Sequence, residues 1–219
     1  MRTLCLSVTV LALAAAMNGQ SGKPALPPDI LPDSLARLPQ VHRADLDENG
    51  KRVYDVVAGA NRPTPPLGPT GLSLHSPKFA EPMHAINQYL RNESTIGRRY
   101  FELSALIAAR EFNQQYEWSG HEPGALRIGL EQSVIDVVKF NKDVAGLPEK
   151  DATVIRMGRE VFRQHHVSPA VFAQAVQLFG KQGALEIAAT MGDYAMAAII
   201  LTAADQQLPP DRPPLLPVK

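Results

Sequence analysis

Proline clusters divide this chain, and the segments between them carry apolar residues at helical spacing. Residues 23 to 40 contain five of the 19 prolines, and residues 207 to 219 contain another five. Each proline ring removes an amide donor, so neither segment can form a long helix. The sequence therefore predicts a single all-α domain, a helical bundle over residues 41 to 206. It lies between a proline-rich N-terminal arm and a proline-rich tail.

Two Ser-Pro pairs, Ser76-Pro77 and Ser168-Pro169, mark helix starts, because each places a capping hydroxyl before a proline at the first helical position. The periodicity predicts helices that begin at 49, 77, 98, 116, 131, 151, 169 and 183. A stretch from Asn61 to Gly71, with four prolines, is predicted to be a loop. No segment alternates convincingly enough to predict a strand.

The last predicted helix is apolar on nearly every side between Ala195 and Ala204. Such a helix must be buried on several faces, either inside one domain or at an interface between subunits. Glu186, Gly192 and Asp193 argue against a membrane span. The second alternative predicts a homo-oligomer.

The N-terminus has the pattern of a secretory signal peptide, predicted over residues 1 to 22. Arg2 precedes an apolar run from Leu4 to Ala16, which is shorter than the roughly 20 residues that span a bilayer. An uncleaved anchor is the alternative. Cleavage predicts a periplasmic or secreted protein that does not stay on the membrane. It would also remove Cys5, the only cysteine, and with it disulfide and thiolate chemistry.

Charge composition argues against a nucleic-acid partner, because 22 basic side chains balance 22 acidic ones. A metal site at His165-His166 is not predicted, since neighbouring positions on a helix point about 100° apart. The sequence thus predicts no metal site at these histidines.

The stretch from Glu102 to His121 carries the candidate chemistry. Glu117 and His121 are four residues apart, so a helix places them on one face, where a carboxylate can orient and stabilise an imidazole. Such pairs also occur by chance on surface helices. Spacing alone therefore does not establish a site.

This stretch resembles the carboxymuconolactone decarboxylase family, whose AhpD-like all-helical fold also includes thiol-dependent alkylhydroperoxidases. In the peroxidase branch a Glu precedes a CxxC pair by twelve residues, and a His follows it by four. Here Glu102, Gln114, Glu117 and His121 stand at those positions. The phrases LHSPKFAEPM, AREFNQQYEWSGHEPGAL and GALEIAATMGDYAMAAIIL are similar to members of the family. The resemblance implies an AhpD-like bundle that assembles as a trimer or a multiple of it.

Gln114 and Glu117 cannot form a disulfide, so peroxide reduction by a thiol cycle is not expected. The decarboxylase branch, which lacks these cysteines, is the better analogy. It implies a cofactor-free lyase or isomerase that acts on a small carboxylated lactone or related ring by acid-base catalysis. His121 would then donate a proton or polarise a carbonyl, Glu117 would fix its tautomer and raise its pKa, and Glu102 would extend the relay.

The candidate substrate-binding residues are Arg110, Arg127, Trp118 and Gln114. Instead of a catalytic role, Glu102 could form an ion pair with Arg98 or Arg99. Trp118 could be a core residue instead of a binding residue. A second interpretation of the whole chain is a non-catalytic protein that binds small molecules or serves as a scaffold, which export favours. The enzyme interpretation predicts a small-molecule substrate as the partner, and it predicts that Glu102, Glu117 and His121 share one pocket.

Overall fold

The structure, a computed structural model, describes residues 26–217. The predicted signal peptide lies outside these residues and stays a prediction. Within them the chain folds into eight α-helices: α1 (Glu48–Tyr54), α2 (Gly68–Ser73), α3 (Pro77–Asn92), α4 (Gly97–Glu111), α5 (Gln115–Arg127), α6 (Gln132–Lys139), α7 (Glu149–Arg159) and α8 (Pro169–Ala203). The described part contains no strand beyond one isolated bridge between Leu31 and Ala36. The predicted all-α fold is confirmed.

Helix α4 is the centre of the bundle. All nine residues from Phe101 to Ala109 are buried, because α5, α7 and α8 surround the helix. Its apolar spacing predicted only one buried face, whereas the tertiary structure covers every face. Each large apolar side chain in this helix, such as Leu103 or Ile107, contributes about 1.5–3 kcal/mol by leaving water.

Helix α7 approaches α4 closely at Gly158. A Cβ atom on this glycine would overlap with Ile107 Cγ2 and lie 3.1 Å from Met191 Cε. Glycine therefore permits the separation at which α7 packs onto α4 and α8.

Helix α8 combines the two helices predicted from residues 169 and 183. Gly180 interrupts its helical geometry with φ 72° and ψ 170°, a conformation that glycine adopts readily. By length and apolarity α8 would suffice to cross a membrane, but 56% of its most apolar window is buried inside the protein. It is a core helix that also keeps exposed apolar residues, Leu185 and Ile199 among them.

The predicted loop from Asn61 to Gly71 is only partly a loop, because α2 begins at Gly68 within it. Pro69 occupies the first turn of α2, where its missing amide donor has no partner to lose. This proline therefore lies at the start of a short helix within the segment that was predicted to be a loop.

The C-terminal tail packs against α5 rather than hanging free. Leu216 is buried at 3% exposure, and the Gln115 side chain forms hydrogen bonds with both the amide and the carbonyl of Leu216. The N-terminal arm is fixed at the end of α8, where Arg37 N donates to Ala204 O at 2.8 Å. The described parts of both proline-rich segments, residues 26–40 and 207–217, thus pack onto the helices.

Candidate functional site

One cavity of about 440 Å³ lies where α3, α4, α5 and α8 meet, with α2 and the C-terminal tail closing its sides. Many ionisable side chains line its wall, among them His84, Arg91, Arg98, Glu102, Glu117, His121, Arg127, Asp193, Tyr194 and Arg212. A cavity of this size, with converging polar groups, suits a small molecule.

The cavity brings Glu102, Glu117 and His121 together. His121 Nδ1 lies 2.6 Å from Glu102 Oε2, within hydrogen-bond range, and His121 Nε2 lies 3.5 Å from Glu117 Oε2. Both carboxylates are buried, and the imidazole is 12% exposed. The residues converge as the sequence predicted, while their catalytic roles stay predictions.

His121 is positively charged at neutral pH. Burial by itself would lower its pKa, but the carboxylates of Glu102 and Glu117 outweigh burial and raise the pKa to about 9. Burial opposes ionisation of Glu102 too, yet the hydrogen bond and charge of His121, with the charge of Arg98, lower the pKa of this carboxyl. An imidazolium between two carboxylates is the resulting state.

Glu102 also forms an ion pair with Arg98, which the sequence offered as an alternative to its contact with His121. Arg98 Nη2 donates to Glu102 Oε1 at 2.6 Å, one helical turn away. Arg99 instead pairs with Asp151 at 2.7 Å and with Glu131 at 2.5 Å, away from the cavity. Glu102 therefore connects the guanidinium of Arg98 to the imidazole of His121, and both expected contacts of this residue are present.

Next to these residues lies a second polar group, which sequence reasoning missed. Asn87 Nδ2 donates to Asp193 Oδ2 at 2.8 Å, and Arg91 Nη2 donates to Tyr194 Oη at 2.9 Å. The Tyr194 ring meets His121 edge-on, with centroids 4.7 Å apart. Asp193 Oδ1 is buried without a partner among the described residues, and burial raises the pKa of this carboxyl. The signal in the sequence that could have identified this group was Asp193, an acidic residue within the largely apolar α8.

The structure corrects the placement of two proposed substrate-binding residues. Arg110 lies outside the cavity and donates to Asn113 Oδ1 and Pro217 O, because it is in the last turn of α4 under the tail. Gln114 caps the N-terminus of α5, where its side chain accepts a hydrogen bond from Tyr116 N. Neither side chain contacts the space that a ligand would occupy.

Trp118 is a core residue, which was its alternative interpretation. Its ring is fully buried in the main apolar cluster, and its Nε1 donates to Glu122 Oε2 at 2.6 Å. Lys139 Nζ completes this buried group at 2.9 Å from Glu122 Oε1. Trp118 therefore stabilises the packing of α5 against the core and does not line the cavity.

Arginines supply the positive charge of the cavity, but mostly not those that the sequence singled out. Arg127 does line the cavity, at its exposed rim. Arg91, Arg98 and Arg212 join it from α3, α4 and the tail. Among residues 26–217 no three His, Cys, Asp or Glu side chains are placed to hold a metal ion together.

Solved structures share this arrangement of helices. The debrominase Bmp8, as a cysteine-to-alanine variant in complex with 2,3,4-tribromopyrrole, is 16% identical with a TM-score of 0.59, over 78% of this chain and 90% of its own. An alkylhydroperoxidase AhpD core from Ralstonia eutropha JMP134, an uncharacterized peroxidase-related protein, is 18% identical with a TM-score of 0.63, over 81% and 94%. The fold is AhpD-like.

A protein of unknown function from Agrobacterium tumefaciens has the same AhpD-like fold, with a TM-score of 0.56 and 16% identity over 63% of this chain and 94% of its own. No protein-family model matches the sequence, and no curated protein matches it significantly. At these identities the likeness establishes the AhpD-like fold and leaves the reaction open.

Proposed function

We propose that this cavity catalyses proton transfer on a small carboxylated ring compound, with His121 as the general acid. Decarboxylation of a carboxylated lactone or related unsaturated ring is the reaction that these groups fit best. The observation that carries the proposal is geometric: the His121 imidazole is held between the buried carboxylates of Glu102 and Glu117, in a cavity that also contains arginines without a carboxylate partner among residues 26–217.

The two ring nitrogens of His121 differ in how closely a carboxylate approaches them. Nδ1 makes a short contact of 2.6 Å to Glu102, whereas the 3.5 Å contact from Nε2 to Glu117 is longer than a normal hydrogen bond. The proton on Nε2 is therefore the one available to a substrate. Glu102 fixes the ring, and Glu117 is placed to accept or return a proton through a water molecule.

Three arginines favour an anionic substrate. Arg91, Arg127 and Arg212 face the cavity, and none forms an ion pair with a carboxylate of residues 26–217. Arg98 is already paired with Glu102. A substrate carboxylate would satisfy a guanidinium that otherwise has only neutral partners or water.

The reaction needs only groups that the cavity supplies. The bond between the ring and its carboxylate breaks, carbon dioxide leaves, and the electron pair moves into the conjugated ring carbonyl. The ring carbon then takes a proton from His121 Nε2, and solvent returns a proton to the imidazole. The change is redox-neutral, since one carbon–carbon bond is exchanged for one carbon–hydrogen bond. An isomerase would use the same groups without loss of carbon dioxide.

The test is a panel of unsaturated lactone carboxylates and related ring carboxylates, incubated with the purified protein and followed by NMR for carbon dioxide release or isomerisation. We expect turnover with at least one compound, and a loss of about 10²–10⁴-fold in His121→Gln. Arg156→Gln is the matched control, because Arg156 is exposed on α7 and does not line the cavity.

Two results would contradict catalysis by His121. Unchanged turnover in His121→Gln would exclude it as the acid. Binding of panel compounds without any chemical change would instead support the alternative proposal of a non-catalytic small-molecule-binding protein. The contacts of Glu102 are compatible with that alternative. Glu102 pairs with Arg98 and His121 within the protein, so these three charges can have a structural role without any reaction.

Export is a separate proposal, supported by the charged and apolar pattern from Arg2 to Ala16. The N-terminal sequence of protein recovered from the extracytoplasmic fraction tests it. A mature chain that begins near residue 23 is expected, and a full-length chain retained in the cytoplasm would contradict export.

A further inference from the structure

We propose that the proline-rich C-terminal tail is a wall of the binding site and that Arg212 on this tail binds the carboxylate of the ligand. The inference rests on the proposed function only in using the same cavity and the same class of ligand, a small planar carboxylate. It assigns a specificity-determining residue to a segment that lies outside the predicted helical domain.

The tail is held at both ends of the segment that carries Arg212. On the N-terminal side of Arg212, Gln207 N donates to Leu35 O at 2.7 Å. Beyond it, Leu215 N donates to Ser119 Oγ at 3.1 Å, and Leu216 N donates to Gln115 Oε1 at 2.7 Å. The prolines between these anchors restrict the unfolded chain and so reduce the entropy lost when the tail is fixed. The position of Arg212 is therefore built into the fold.

The guanidinium of Arg212 is also oriented. It stacks on the ring of Tyr116, 4.7 Å from the ring centroid. Tyr116 in turn packs against Gly68, where a Cβ atom would lie 2.5 Å from the phenol ring and where φ is +69°. The contact with Gly68 limits movement of the ring in that direction, and the cation–π contact with the ring favours one placement of the guanidinium.

Arg212 lies close to the backbone of α5 beside the proposed acid, and both residues line the same cavity. Its Nη1 lies 3.8 Å from the position of a Cβ on Gly120, the residue that precedes His121 on α5. Any side chain on Gly120 would contact this guanidinium. A carboxylate bound by Arg212 would place the attached ring in the same cavity as His121.

The charge of Arg212 has no carboxylate partner within the described residues, unlike Arg98, which pairs with Glu102. Arg212 is half-buried and lines the cavity, so its guanidinium is accessible to a planar anion bound there. Arginine binds carboxylates through two parallel hydrogen bonds, and lysine cannot reproduce this geometry.

The test compares two probes of the same shape, 2-furoate and its neutral amide 2-furamide, by titration calorimetry or NMR titration of the full chain. We expect the wild type to bind furoate more tightly. Arg212→Gln should weaken furoate binding about tenfold or more and leave furamide binding unchanged, because a hydrogen bond between two charged groups is stronger than one to a neutral amide. Arg212→Lys should give an intermediate loss, and Arg156→Gln should change neither.

Three results would overturn the inference. These are no furoate binding to the wild type at millimolar concentration, an equal loss for both probes in Arg212→Gln, and no loss at all. The proposed function fails differently, through the turnover of His121→Gln. A charge-specific effect of Arg212→Gln without turnover by the wild type would support the carboxylate site and exclude the reaction.

Discussion

His121 Nδ1 lies 2.6 Å from Glu102 Oε2, and this contact joins α5 to the buried centre of α4. Arg98 extends the contact on one side and Glu117 on the other, so positive and negative charges alternate along one wall of the cavity. Such a network favours one charge state of each member and holds the imidazole in one orientation. Its pH dependence follows directly.

The first prediction is that His121 titrates near pH 9. An NMR titration of its ring should give a pKa of about 9, and Glu102→Gln should lower this pKa because the largest favourable contact is lost. A ring pKa near the ordinary 6.5 in the wild type would contradict a charged imidazole at neutral pH.

The same shift predicts how stability depends on pH. A pKa that is raised in the folded state stabilises the protein fully below the unfolded value of about 6.5, and this contribution is lost as the pH rises towards 9. The free energy of unfolding of wild type minus His121→Gln should therefore fall between pH 6 and pH 9. Denaturant unfolding at both pH values measures it, and a constant difference would be inconsistent with the shift.

A substitution at Trp118 separates core packing from ligand binding. Trp118→Phe removes the 2.6 Å hydrogen bond to buried Glu122 and leaves part of the indole volume empty. We expect a loss of about 1–3 kcal/mol in the free energy of unfolding, with carboxylate binding unchanged. Arg212→Gln should show the reverse pattern, and a change in binding without a change in stability for Trp118→Phe would restore Trp118 to the pocket wall.

A matched pair of glycines tests the packing around α4. Gly158→Ala should destabilise the protein by about 1–3 kcal/mol, because the new methyl group would overlap with Ile107 Cγ2 in a closely packed core. Gly192→Ala meets no atom within 4 Å and should stabilise α8 by up to about 1 kcal/mol. Thermal unfolding of both variants is the measurement. Equal effects would show that α7 does not approach α4 this closely.

Self-association stays a prediction, and the structure sharpens its test. Ile199 is 56% exposed in the single chain, and Leu185 on the same helix is 70% exposed. Ile199→Asp should therefore split a trimer or larger assembly without unfolding the chain. Light scattering with circular dichroism distinguishes the two effects, and a wild type that scatters as a monomer would show that this face needs no second subunit.

The sequence alone was enough for most of the long helices, because their limits depend on neighbouring residues, but it missed α2 and divided α8 in two. A helix predicted over 98 to 113 runs from Gly97 to Glu111, and Ser168-Pro169 begins α8 as expected, with Ser168 Oγ accepting from Val171 N. The pairing of Glu117 with His121 is likewise local, since four residues make one helical turn. The resemblance added Glu102, which no spacing rule connects to His121.

Only the tertiary structure decided which arginines and acids share the cavity. Arg91 and Arg212 are far apart in the sequence, and they line one cavity because α3 and the tail both pack around it. Arg110 and Trp118 both lie between Glu102 and His121 in the sequence. The packing of their helices nevertheless directs Arg110 towards the C-terminal tail and Trp118 into the core. Side-chain direction follows from how whole helices bury their apolar faces, which is a property of the assembled bundle and not of any short segment.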